Sequence, residues 1–324
     1  MVWDPADASL IHDQPESALE GEMMKDHPDA DLGPNLTLDR YQELAAITDL
    51  EPDSADPMVP LLGLAGEVGS LSAEYKKRVR RGGDSYVGFE QAVPIELGDI
   101  LWYLATLARR AGFTLSQVAH TNLAKTHDRY ITTDGTLAFS YDDGFPADQC
   151  LPRRFQATFT THTENGIVRC RLQIEDERLG ALIDDNARHQ DAYRFHDIFH
   201  IAHAAVLGWS PVLRSLVRVK RGIDKDVDRV EDGARAIARE EAVTAMIFEL
   251  AAEWSYFDGA ERVDDSVLWA AKAITAHLEV GAQPASEWER SILAGYAAWR
   301  ALRDNGGGRV QVDLDERLVQ FINS

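Results

Sequence analysis

Apolar positions in the first third of the chain recur at helical spacing. Leu38–Leu50 (LDRYQELAAITDL) predicts one helix, with Thr37 as its N-cap and Pro52, Pro57 and Pro60 stopping it. A second helix is predicted from Leu61 to Arg80, with Leu64, Val68, Leu71 and Tyr75 on one stripe and Gly82 and Gly83 at its end. Pro94 marks the first turn of a third, whose apolar face is Leu97, Ile100, Leu101, Leu104 and Leu107 and which Gly112 ends. Ser116 opens a fourth. Short links between them predict a helical bundle over residues 36–135.

Beyond a Gly- and Pro-containing stretch at 136–152 the period changes. Phe155–His162 and Ile167–Ile174 alternate around Asn165-Gly166, which predicts a β-hairpin. Helical spacing then returns over Ala187–Leu207, Pro211–Val219, Ala234–Phe257, Asp265–Glu279 and Ser286–Arg303, and three glycines at 306–308 close the last. The final RVQVDLDERLVQFI reads as a closing strand and a short helical tail. The fold class is therefore mainly α: an N-terminal helical bundle, then a β-hairpin and a second helical domain over 150–324. Residues 1–35 hold nine acidic residues against Lys25 alone, with four prolines, and read as a mobile acidic lead-in. A short interaction helix around Ser17–Met24 is the alternative.

Composition narrows the partners. The chain has 324 residues, 45% of them hydrophobic, enough for one large or two ordinary cores. Its 33 basic and 54 acidic residues leave a net charge of -21, which argues against nucleic acid or an anionic membrane as the main partner. Cys150 and Cys170 are far apart, which argues against a disulfide framework or a zinc-thiolate site and points to a reducing cytoplasm. No apolar run approaches a membrane span, and the acidic N-terminus does not read as a signal peptide.

Carboxylates sit among the apolar positions of the second and third helices. Glu96 and Asp99 are about 60° apart around a helix, and Glu67 and Glu74 are about 20° short of two full turns. Each pair shares a face. If those faces meet, four carboxylates converge, and such a cluster repels itself unless it is protonated or holds cations. Mg²⁺ suits the oxygen donors. A bound water beside a free carboxylate is then a ready nucleophile, and the cation neutralises a leaving pyrophosphate. Lys76, Lys77, Arg78, Arg80 and Arg81 offer cationic reach for a polyphosphate. The plain alternative is that exposed glutamates and a basic helix C-terminus are ordinary. Trp102, Tyr103 and Tyr75 are candidates for stacking on a base, with core packing as the alternative.

The wording PLLGLAGEVGSLSAEYKK, followed by ELGDILWYLATLARRAGFTLSQVAHTNLAKTHDRY, resembles the MazG-like family of all-α nucleoside triphosphate pyrophosphohydrolases over about residues 38–130. The resemblance implies an all-α bundle, a homodimer or higher homo-oligomer, and cleavage of a (d)NTP to (d)NMP and pyrophosphate by metal-activated water. It implies Mg²⁺, with Mn²⁺ as an alternative, held by E-x-x-E on one helix and E-x-x-D on the next. Glu67, Glu96 and Asp99 match that pattern, and Asn122 and Lys125 match sugar or phosphate contacts on the last helix. Ser70 stands where the second Glu is expected. Glu74, one turn further on, is the stand-in fourth metal ligand by geometry, and Lys77 and Trp102 complete the substrate-binding set.

Four of the ten histidines lie close together: His189, His196, His200 and His203. On one continuous helix they fall within about 60° of each other, about 110° from the apolar stripe. They predict a ridge outside the core that could hold a transition metal, with Glu240 as the best-placed carboxylate and Glu241 solvated. The alternative is a polar face hydrogen-bonded to acidic neighbours. Two further readings stay open: a nucleotide-binding sensor whose site is weakened at Ser70, and a second metal-dependent hydrolase site at the histidines.

Overall fold

The structure is a computed structural model, and it describes residues 35–51, 56–83, 86–131 and 140–322. The acidic lead-in and the Ser17–Met24 alternative lie outside the described residues. By internal packing the chain divides into two compact units, one ending at Leu123 and the other beginning at Ala124.

The first unit is helical. Its elements are α1 (Leu38–Ile47), α2 (Met58–Arg80), α3 (Phe89–Arg110) and the first half of α4 (Leu115–Tyr130). Thr37 caps α1, its hydroxyl accepting from the Arg40 amide at 3.2 Å. Helix α3 begins at Phe89, so Pro94 lies inside the helix and not in its first turn. The extra turn is held because the Phe89 ring meets Tyr75 of α2 edge-on at 5.1 Å and carries the Arg78 guanidinium at 4.4 Å. These contacts offset the backbone bond that Pro94 removes.

Helices α2 and α3 run antiparallel. Tyr75 meets Phe89 at one end, and Tyr103 lies over Gly63 at the other. A Cβ at Gly63 would stand 2.3 Å from the Tyr103 ring, so the glycine is what permits this close approach. A small core of Ala45, Ala105 and Leu115 joins α1, α3 and α4, with Tyr41, Leu101 and Trp102 packed against it. Gln42 fastens the same junction. Its amide donates to the Phe113 carbonyl at 3.0 Å and accepts from the Leu115 amide at 2.8 Å. Asp39 accepts from the Ser116 amide at 2.9 Å, which caps α4 from a neighbouring helix.

The second unit has a sheet where only a hairpin and one closing strand were expected. Strands β1 (Arg154–Glu164), β2 (Ile167–Ile174), β3 (Glu177–Ile183), β4 (Gly308–Asp313) and β5 (Leu318–Ile322) form one antiparallel sheet in the order β3-β2-β1-β4-β5. The hairpin is present as expected. Asn165 and Gly166 both take positive φ, 52° and 80°, as a type I′ turn requires. The expected helical tail is instead β5, whose backbone pairs with β4 in the register Val310↔Phe321.

The helices of this unit are α5 (Asp197–Ala202), α6 (Pro211–Val217), α7 (Lys225–Val230), α8 (Ala234–Glu253), α9 (Asp265–Thr275) and α10 (Ala285–Asn305), of which α6 packs on β3 and α10 on β4 and β5. Phe155, Ala157 and Phe159 of β1 enter the core, which also buries Phe195, Ile198, Trp209, Trp288 and Trp299. Helix α10 comes close to α5 at Gly295, where a Cβ would stand 3.1 Å from that of Ala202.

The long helix expected over Ala187–Leu207 is broken into pieces. Ala192 is left-handed at φ 67°, a single 3₁₀ turn spans Tyr193–Phe195, α5 follows, and His203–Leu207 forms a π turn stopped by left-handed Gly208. Asp185 and Asp191 hold the break, accepting from the amides of Arg194 at 2.9 Å and Tyr193 at 3.0 Å. Local side-chain acceptors thus take backbone donors that a continuous helix would have used.

Candidate active site and a buried histidine cluster

In the first unit, Glu67 of α2 and Glu96 and Asp99 of α3 each offer a carboxylate oxygen, and the three oxygens lie within 4.8 Å of one another. The helix pairing explains why. Glu67 is one turn beyond Gly63, and Asp99 is one turn before Tyr103, so the close approach at Gly63 sets the next turn of each helix face to face. Glu67 and Glu96 are half-buried and Asp99 is exposed, which leaves the group open on one side. Three like charges this close favour a bound cation, and an all-oxygen set suits Mg²⁺ or Mn²⁺.

Glu74 does not join them. Its buried carboxylate accepts from Lys77 Nζ and from the Tyr86 hydroxyl, and these bonds hold it ionised below the usual carboxylate range. Glu74 as fourth ligand is therefore corrected: it is fastened nearly two turns from Glu67 by a residue of the following loop. Lys77 is spent in the same pair, half exposed. Ser70 is exposed on α2, and Asn122 is exposed on α4. Lys125, also exposed, lines a cleft of about 620 Å³ in the second unit with Arg129, Tyr130, Trp269 and Lys272. Trp102 is partly buried, donating from Nε1 to the Thr48 hydroxyl at 2.8 Å, which ties it to the helix core.

Sequence reading missed Tyr41. Burial, and then the charge of Asp99, push its phenol above the ordinary value, so Tyr41 lies within electrostatic reach of the carboxylate group. No local spacing could have paired residues 41 and 99.

In the second unit the histidines are not an outer ridge. His200 and His203 are buried in the core, because the break before α5 and the π turn after it rotate this segment inward. His189 is exposed on a bend outside any helix and stands apart from them. His200, His203 and Glu240 of α8 gather within 4.8 Å. Glu240 Oε1 takes His200 Nδ1 at 2.9 Å, His203 Nδ1 at 3.1 Å and the Ser210 hydroxyl at 2.8 Å, while Oε2 takes the Val212 amide at 2.9 Å. Burial alone would drive Glu240 neutral and lower His200. The attraction between them wins, so Glu240 is held down and His200 held up. A second group, His196, Asp197 and His200, also lies within 4.8 Å. Glu241 reaches His200 Nε2 at 3.5 Å from the solvent side.

Comparison with known proteins divides the chain in a similar way. A model of the MazG nucleotide pyrophosphohydrolase domain matches residues 61–132, and a model of the MazG C-terminal domain matches residues 137–324. The Gene 37 protein of Mycobacterium phage L5 is 33% identical over 100 residues, 28% of this chain and 87% of that protein. No solved structure matches the chain.

Proposed function

This chain belongs to the MazG family and is a nucleotide pyrophosphohydrolase, and we propose that its substrate is a nucleoside or deoxynucleoside triphosphate, cleaved with Mg²⁺ to the monophosphate and pyrophosphate. The observation that carries this reading is the meeting of Glu67, Glu96 and Asp99 from two helices. A divalent ion there, Mg²⁺ or Mn²⁺, supplies charge neutralisation for the phosphates and lowers the pKa of water.

The chain's own residues do the rest. Glu67, Glu96 and Asp99 hold the ion, and the seat of Tyr103 on Gly63 keeps the two walls at working distance. Asn122, exposed on α4, is the sugar or phosphate contact within this unit, whereas Lys77 stays paired with Glu74. Self-association through a second copy is part of the proposal. The described residues of this unit bury only a small core, while Leu61, Leu62, Val68, Ile95, Leu97 and Leu104 are all exposed.

Pyrophosphate release over a panel of NTPs and dNTPs, with Mg²⁺ or Mn²⁺, tests the reading. Loss of groups that merely orient a metal ligand costs 10–100-fold, so Asp99→Ala, which removes a ligand itself, is expected to cost about 100-fold or more. Turnover that does not need a divalent ion, or that survives Asp99→Ala, overturns it. Nucleotide binding with no turnover on any member would favour a sensor.

A further inference from the structure

The second unit contains one buried polar atom whose surroundings point to a ligand. His200 Nε2 is fully buried and has no hydrogen-bond partner. Its nearest acceptor is Glu241 Oε2, at 3.5 Å. Beyond this long ion pair nothing in the chain satisfies the buried nitrogen, and a metal ion bound there would take the place of its proton.

The neighbours of that atom have metal-ligand chemistry. His196 stands one helical turn before His200, and Asp197 opens α5 between them. His196 Nε2 lies 3.8 Å from Asp197 Oδ1. Both imidazoles are anchored through their other nitrogen: His196 Nδ1 at 3.0 Å from the Tyr193 carbonyl, His200 Nδ1 at 2.9 Å from Glu240. A ligating histidine is oriented in this way, with one nitrogen bonded to a carbonyl or carboxylate so that the other is aimed at the ion. The Tyr193 ring, stacked on His196 at 4.5 Å and 7° from parallel, fixes the ring plane as well. The π turn that follows α5 is a costly local geometry that proteins tend to keep at functional sites.

Distances separate this outer group from the inner one. Donors of a tetrahedral zinc-class ion, ~2.0–2.1 Å from it, stand ~3.3 Å apart. The inner pairs on Glu240, at 2.9 and 3.1 Å, are hydrogen bonds, and both Glu240 oxygens are already occupied. The outer separations, 3.8 and 3.5 Å, leave room for an ion. We propose that His196 Nε2, Asp197 and His200 Nε2 form a binding site for a zinc-class divalent transition metal, with Glu241 at its solvent side and Glu240 and Tyr193 as positioning residues. Two imidazoles with carboxylates select Zn²⁺, Co²⁺ or Fe²⁺ over Mg²⁺.

The test uses the full chain, stripped with a chelator and titrated with Co²⁺ while visible absorption is followed. An Asp99→Ala background weakens the carboxylate group of the first unit as a competing site, and its all-oxygen donors give no nitrogen-coordination bands. One Co²⁺ per chain is expected, with the ligand-field bands of nitrogen coordination, displaced by one equivalent of Zn²⁺. His196→Ala removes one imidazole ligand, and Asp197→Asn removes the charge of the carboxylate while keeping its shape. Each is expected to weaken binding by about 100-fold or more, with circular dichroism confirming the fold. His189→Ala, on its exposed bend, is expected to leave binding unchanged. Absence of stoichiometric Co²⁺ with metal in excess overturns the proposal, as does binding that both folded variants retain.

Discussion

Glu240 shows how one residue organises its surroundings. Two imidazoles, a hydroxyl and an amide all converge on its buried carboxylate. Removing one member of a buried charged set leaves the others uncompensated. Glu240→Gln is expected to cost about 3–5 kcal/mol in denaturant unfolding. Tyr141 supplies a prediction in pH. Its hydroxyl donates to the Glu279 carbonyl and accepts from Gln283, both at 3.1 Å, and burial pushes the phenol up to about 12. Between its ordinary value of 10.0 and about 12 the unfolded chain loses this proton while the folded chain keeps it. The stability Tyr141 contributes is therefore complete below pH 10 and falls as pH rises toward 12. Tyr141→Phe, unfolded in denaturant across this range, should lack that part of the decline.

At the scale of elements, local chemistry was legible and long-range pairing was not. Asn165-Gly166 announces its turn because positive φ at two adjacent positions is written in residue type. Helical spacing put Glu96 and Asp99 on one stripe but paired Glu67 with Glu74, and it was the wording of the two helices that singled out Glu67, Glu96 and Asp99. Strand β3 was hidden because only Leu179 of it is buried and Gly180 interrupts its alternation. The bond of Glu74 to Tyr86 and the nearness of Tyr41 to Asp99 depend on how helices and loops meet, which no single segment encodes. The same contact logic makes α2 and α3 testable as a pair. Gly63→Ala drives a methyl into the Tyr103 ring and is expected to cost about 1–3 kcal/mol and lower turnover. With Tyr103→Ala already in place the same change should be neutral or stabilising by up to about 1 kcal/mol, since Ala favours helix over Gly. A double-mutant cycle in thermal unfolding reads the difference.

Over the whole molecule, the two units differ in how they solve burial. The second closes a large core around Trp209, Trp288 and Trp299, whereas the first leaves Leu61, Leu62 and Ile95 at 50%, 64% and 64% exposed. A second copy covering that face would complete it. Light scattering at the native size is expected to show a dimer or larger, and Leu62→Glu with Ile95→Glu should shift it toward monomer. A monomeric wild type would refute the assembly. No helix among the described residues is long and apolar enough to cross a membrane.

The sheet has a consequence for how the protein is made. Strand β1 sits in the middle, and its partner on one side is β4, in the register Arg154↔Asp313. About 150 residues must leave the ribosome between those two strands, a wait of ~10–30 s at ordinary rates of synthesis. During that time one edge of β1 is an open template for any strand-forming neighbour. The helices of the first unit all precede β1 in the chain, while the sheet of the second cannot close until β4 has emerged.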